Sequence, residues 1–254
     1  MGIGINMRDQ AFWYFQHCYE GAAPKAENVR WVSLDFKTVL TWTVKPSVYT
    51  YSVRFSEGDS DWRETLDCTK VTDSECDLTN NLNPLDRDYT ADIITEPLDA
   101  VDDYILEEFP HTETERPFNP YKESNISAVE FTLEPLNEST MIVNITDPLS
   151  SIHVGQKQLT IRDVLKKDLK YKISYHKSGS TGKRDYISNT SVAEVSKLDA
   201  GENYCFMVAA YIPSRPKATQ LGAWSVQQCH STPGHKDILP DHKVRQLERN
   251  SLNL

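Results

Sequence analysis

Leu82-Asn83-Pro84-Leu85-Asp86-Arg87-Asp88-Tyr89 runs into Thr90-Ala91-Asp92-Ile93, and Leu198-Asp199-Ala200-Gly201-Glu202-Asn203-Tyr204 runs into Cys205-Phe206-Met207-Val208. Each stretch is a leucine, a polar loop, a tyrosine and then an alternating apolar run. This is the sequence form of a tyrosine corner, in which a tyrosine at the start of a late strand ties its hydroxyl to nearby backbone in a β-sandwich. Two copies lie 115 positions apart in a chain of 254 residues. That spacing predicts two tandem sandwiches of about 100 residues each, within the usual size of a domain.

The rest of the chain reads the same way. Short runs rich in Val, Ile, Thr, Tyr and Phe alternate apolar with polar, and turn-forming residues separate them. They include Val29–Leu34, Thr38–Val44, Tyr49–Phe55, Tyr89–Ile94, Met141–Ile145, Tyr171–Tyr175 and Tyr204–Ala210. Pro46 stops the second run. Leu159-Thr160-Ile161-Arg162-Asp163-Val164-Leu165 reads equally as one helical turn or a strand. Residues 97–117 are acidic and turn-rich and are expected to form a long loop. The expected organisation is therefore an atypical, disordered segment over 1–24, a first module over 25–122, a second over 123–231, and a polar, disordered tail over 232–254. The junction lies near Phe118-Asn119-Pro120-Tyr121-Lys122.

Formal charge is −10 and is unevenly spread. Residues 25–122 hold 10 basic and 21 acidic side chains, a net of −11, whereas residues 123–231 come to +1. So acidic a chain is poorly suited to wrapping phosphate backbones, so no nucleic-acid partner is expected. No run reaches the length of about 20 apolar residues that spans a bilayer.

Catalytic motifs are lacking. There is no H-E-x-x-H, no Cys/His zinc spacing and no G-x-S-x-G elbow. Ser178-Gly179-Ser180-Thr181-Gly182-Lys183-Arg184 has the flavour of a phosphate loop. It has Lys177 where a glycine belongs, however, and Arg184 where Ser or Thr should follow the lysine. The carboxylates of residues 99–115 read as a solvated face. No enzyme activity, cofactor or metal is expected, and a sandwich of this kind is expected to bind another protein.

Five cysteines leave one over. Cys68 and Cys76, eight apart, suit a small hairpin loop closed by a disulfide. Cys205 and Cys229 suit a bridge between neighbouring strands. The alternative is five reduced, buried thiols. Four N-x-[ST] sequons, at Asn125, Asn137, Asn144 and Asn189, favour an extracellular setting, where bridges form. Residues 1–20 show no positive n-region, sufficient apolar run or cleavage site for a secretory signal. The ends are thus expected to reflect an alternative transcript or an imperfect gene model, with Cys18 in the segment least like the rest.

From Glu27 to about Cys229 the chain resembles the extracellular part of the tissue factor family, in the class II cytokine-receptor group. The stretches that carry the resemblance are Asp35–Trp42, Thr72–Thr79, Lys167–Tyr171, Gly201–Phe206 and Ile212–Arg215. It implies an all-β fold of two tandem fibronectin type III modules, the pairings Cys68–Cys76 and Cys205–Cys229, and a cell-surface, non-catalytic receptor and cofactor. The implied partners are coagulation factor VII or VIIa, with factors X and IX as docked substrates beside an anionic membrane. Positions matching the factor VIIa contacts are Lys37, Val39, Asp61, Trp62, Asp77 and Ile94. Those matching the substrate-docking patch are Tyr175, Lys177, Thr181, Gly182, Lys183, Arg184 and Tyr204. The pattern departs at Thr41, Glu96, Thr112, Gln158 and His176. A competing expectation of the same fold is a receptor for a helical, interferon-like cytokine.

Overall fold

A computed structural model describes residues 24–43, 49–97 and 109–234. Cys18, the N-terminal segment before residue 24 and the tail beyond residue 234 lie outside the described residues. The chain divides into two compact units between Ser124 and Asn125.

In the first unit, β1 (Glu27–Leu34), β2 (Lys37–Thr43) and β5 (Glu75–Asp77) form one sheet in the order β1-β2-β5. The facing sheet has the order β4-β3-β6-β7, from β3 (Tyr49–Glu57), β4 (Arg63–Glu64), β6 (Tyr89–Pro97) and β7 (His111–Glu113). Strand alternation decides the core. Leu40 and Trp42 from one sheet meet Tyr51, Val53, Phe55, Tyr89, Ala91 and Ile93 from the other, all buried. Odd-numbered side chains of β3 and β6 therefore face the core, and even-numbered ones lie on the outer face. Trp31 stacks on Phe118 at 5.3 Å and helps close the open end.

The second unit repeats the plan. Its sheets are β14-β9-β8 and β13-β12-β15-β16. They are built from β8 (Glu130–Asn137), β9 (Thr140–Thr146), β12 (Lys170–Lys177), β13 (Arg184–Ser188), β14 (Val192–Val195), β15 (Asn203–Tyr211) and β16 (Gln228–Ser231). The added parts are a hairpin, β10 (Leu149–Val154) with β11 (Lys157–Thr160), and a one-turn helix over Ile161–Leu165. The ambiguous Leu159–Leu165 stretch is thus the end of a strand followed by a helix. Its start is fixed by a capping box, in which Thr160 accepts from the Asp163 amide while the Asp163 carboxylate accepts from the Thr160 amide.

Both tyrosine corners form. The Tyr89 hydroxyl donates to the Pro84 carbonyl at 2.8 Å. The Tyr204 hydroxyl accepts from the Asp199 amide and donates to the Asp199 carboxylate, each at 3.1 Å. The reach is five residues back in both modules, and the leading Leu82 and Leu198 are both buried.

Both disulfides are present, between Cys68 and Cys76 and between Cys205 and Cys229. The second joins directly opposed residues of β15 and β16. The first does not close a hairpin. Cys68 ends a 3₁₀ turn that follows β4, whereas Cys76 sits in β5 of the other sheet. The short loop is a crossover between sheets, and the bridge pins it.

The acidic stretch is also not one loop. His111–Glu113 pair with β6, because Thr112 and its neighbours offer a free strand edge a partner. Residues 98–108 lie outside the described residues. Among the described residues no helix is long and apolar enough to cross a membrane.

Candidate functional site

The six residues expected to grip a protease fall into two groups on different sheets of the first module. Lys37 and Val39 lie on the outer face of β2, and Asp77 on β5 is the register partner of Val39. The Lys37 ammonium stands 4.0 Å from the Asp77 carboxylate, and both side chains are more than half exposed. A pair so exposed fixes register more than it adds stability. The second Asp77 oxygen accepts from the Thr79 amide and hydroxyl at 3.0 and 2.6 Å, which orients the carboxylate.

The other group is Asp61, Trp62 and Ile94. Asp61 and Trp62 sit in the loop before β4, and Ile94 lies half-buried on the outer face of β6. Trp62 is 36% exposed. It is therefore not a core tryptophan; its ring lies over the Arg54 guanidinium, 5.0 Å from the ring centroid.

Beneath Arg54 is a charge that sequence reasoning missed. Asp92 occupies an outward position on β6, directly across from Arg54 on β3, yet it is 0% exposed. Its Oδ2 accepts from Arg54 Nε at 2.8 Å and lies 2.8 Å from the Arg54 Nη2 nitrogen. Its Oδ1 pairs with His111 Nδ1 at 3.2 Å. Alternation alone assigns Asp92 to solvent. The signal that could have found it is complementary charge at outward positions of two strands expected to pair, which needs the register of β3 on β6.

The seven residues expected to form a docking patch lie at one end of the sheet β13-β12-β15-β16, on its strands or in the turn between β12 and β13. Tyr175 opposes Arg184, and Lys177 opposes Tyr204. They are not equivalent. Tyr175 and Tyr204 are 9% and 5% exposed; the first stacks on Phe206 and the second is the corner tyrosine. They form the floor. Lys177 lies 2.9 Å from Glu202 and 3.6 Å from Asp199. The hydrogen bond to Glu202, above all, raises its pKa. Its charge is locally answered, so the outward positive charge comes from Lys183 and Arg184. Both are exposed, Arg184 at the start of β13 and Lys183 with Thr181 and Gly182 in the turn before it, where Gly179 adopts φ +79°.

The departures from the family pattern are engaged locally. Thr41 donates to the Arg30 carbonyl at 3.4 Å, and Glu96 lies 3.8 Å from Lys70. Thr112 donates to the Ala26 carbonyl at 3.0 Å, and Gln158 donates to the Ser150 carbonyl at 2.8 Å. His176 is half-buried opposite Cys205. Of the sequons, Asn125, Asn137 and Asn189 are exposed, while Asn144 is half-buried on β9.

Comparison with known proteins decides the family. A mouse protein named tissue factor is 34% identical over 217 residues, covering 82% of this chain and 72% of that one. The chain belongs to the tissue factor family. A cattle tissue factor is 33% identical, covering 84% of this chain and 70% of its own length. The tissue factor family model matches residues 12–101, so the match begins inside the segment set apart above as atypical. A model of the fibronectin type III part of the interferon-alpha/beta receptor matches residues 125–233. Mouse interleukin-20 receptor subunit alpha is 26% identical over 85% of this chain and 38% of its own length. In fold, the chain is similar to the crystal structure of the chicken interferon gamma receptor alpha chain, with a TM-score of 0.61 at 17% identity. That match covers 84% of this chain and all of the other. All-β, tandem fibronectin type III architecture is thereby shown.

Proposed function

We propose that this tissue factor family member is a non-catalytic cell-surface cofactor for coagulation. It binds factor VII or VIIa through its first module, and docks factor X or IX through Lys183 and Arg184 beside an anionic membrane. The observation that carries the reading is Trp62, held over Arg54 and offered at the surface. Tryptophan supplies much contact area for little lost rotamer freedom and recurs among interface hot spots. Lys37, Val39 and Asp77 lie on the opposite outer face of the same sandwich from Ile94. A partner that touches both groups must reach around the module, which suits a protease of several domains better than a single compact ligand.

The gain for the protease is positional and allosteric, since binding that favours its active arrangement shifts that equilibrium by the difference in affinity for the two states. Lys183 and Arg184 suit strongly anionic docking segments and attract them over a Debye length of about 8–10 Å. A second reading, a receptor for a helical cytokine, is supported by the likeness to interleukin-20 receptor subunit alpha. Cleavage of a small chromogenic substrate by factor VIIa from the same source separates them. Saturating amounts of this chain accelerate the cleavage if the first reading is right. An unchanged rate, with a cytokine and no protease retained from matched plasma, establishes the second.

A further inference from the structure

We propose that Arg54, Asp92 and His111 are positioning residues that hold Trp62 in its binding arrangement before any partner arrives. The inference rests on the reading that the Trp62 face is a binding face. Asp92 is a fully buried carboxylate at a strand position whose neighbours two away, Thr90 and Ile94, are partly exposed. Such a charge is tolerated only when paired and hydrogen-bonded. Both its oxygens are engaged, Oδ2 by the Arg54 guanidinium and Oδ1 by His111. His111 Nδ1 carries the proton in that contact, because an ionised carboxylate only accepts.

The consequence falls on Arg54. Its planar guanidinium is fixed by contacts through two nitrogens, and the indole ring of Trp62 packs on its face. Glu64 lies across β4 from Arg54, and Glu113 lies across β7 from Asp92. These are the alternative partners that a loosened guanidinium would meet. The loop carrying Trp62 is tied separately: the Gly58 amide donates to the Asp88 carbonyl at 2.9 Å, and the Glu57 amide to Ser60 Oγ at 3.1 Å. The turn that precedes Trp62 is held by these bonds, and the ring packs against Arg54. An anchor ordered in the free protein loses less freedom on binding.

Arg54→Lys is the decisive variant. It keeps the charge and reach but cannot both pair with Asp92 and present a flat face to indole. Arg54 is half-buried where Asp92 is fully buried, so the substitution, which keeps the positive charge, disturbs the core less than a change at Asp92. Two readouts separate this inference from the proposed function. In the free protein, Trp62 emission, taken as the difference from Trp62→Phe, moves to the red in Arg54→Lys and in Asp92→Asn. His111→Gln, which can still donate to Asp92, retains the parent emission. In protease binding, Arg54→Lys weakens Kd about tenfold with Trp62 present and less than about twofold in a Trp62→Ala background, the non-additivity expected when one residue acts through another. Unchanged emission in Arg54→Lys overturns the inference, as does an equal loss of affinity in both backgrounds. If the parent chain binds no protease, the proposed function falls, and the emission arm still decides the positioning role.

Discussion

At the scale of single residues, the tyrosine corners show how a local spacing carries tertiary information. Tyr89 and its acceptor are five residues apart, so the contact is written in consecutive sequence and could be read there. Removing only the hydroxyl, in Tyr89→Phe, forfeits one hydrogen bond whose net worth is about 1 kcal/mol. The expected result is a lower urea midpoint with an unchanged m-value. The corner also predicts alkaline behaviour. Burial, aided by Glu57, pushes the Tyr89 phenol up to about 12. Between its ordinary value and about 12 the unfolded chain has lost this proton and the folded chain has kept it. Stability therefore falls as pH rises through that window. Tyr89→Phe removes this contribution, so its denaturation midpoint declines less steeply above pH 10 than that of the parent; equal slopes would refute the assignment. Asp92 is the opposite case. Its partners lie 38 and 19 positions away, so no local pattern announced a buried charge.

At the scale of elements, the strands legible in the sequence, such as β2, β3, β6, β12 and β15, are ones whose one face meets the core, because alternation then has a physical cause. Legibility failed where pairing alone decides. Nothing apolar marks His111–Glu113 as a strand; it forms because the edge of β6 leaves backbone groups to satisfy. The Cys68–Cys76 loop has the length of a hairpin but crosses between sheets, a difference visible only once β4 and β5 are assigned. The stretch Leu159–Leu165 is open between helix and strand in the sequence, and the capping box of Thr160 and Asp163 in the structure decides for the helix over Ile161–Leu165. Thr160→Ala is expected to cost about 1 kcal/mol. Hydrogen bonding to the Thr160 amide, above all, lowers the pKa of Asp163. A depressed carboxylate contributes stability at neutral pH that is lost as pH falls through its folded value. Asp163→Asn should therefore flatten the acid limb of the stability profile. An unaltered limb would mean that the carboxylate is not a working cap. The Cys205–Cys229 bridge closes a loop of 24 residues in sequence separation. Its removal should cost about 3 kcal/mol on chain-entropy grounds, measured as a lower thermal midpoint of the second module.

At the scale of the whole molecule, the two modules share a strand plan and differ in surface. The repeated plan follows from the repeated corner. The differing surfaces follow from charge, with a net of −11 over residues 25–122 against +1 over 123–231. A cofactor that grips an enzyme with one module and guides a substrate with the other has separable faults. On the proposed reading, reversing both charges in Lys183→Glu/Arg184→Glu is expected to act on the approach of an anionic macromolecular substrate. On the same reading, truncating Trp62 is expected to act on the enzyme itself. The double reversal is expected to lower cleavage of factor X about tenfold at low ionic strength, and progressively less as salt screens the attraction. A small substrate that touches neither lysine nor arginine should show no matching loss. Trp62→Ala should lower both cleavages together at subsaturating chain, and both should recover at saturation, because affinity is what was lost. The ratio of the two rates is the measurement. If charge reversal depresses the small and the large substrate equally, the basic turn acts on the enzyme and the division of labour between the modules is wrong. Because Lys177 is already answered by Glu202 and Asp199, Lys177→Gln should move that ratio far less than the double reversal, as expected if the docking charge is that of Lys183 and Arg184 rather than that of Lys177.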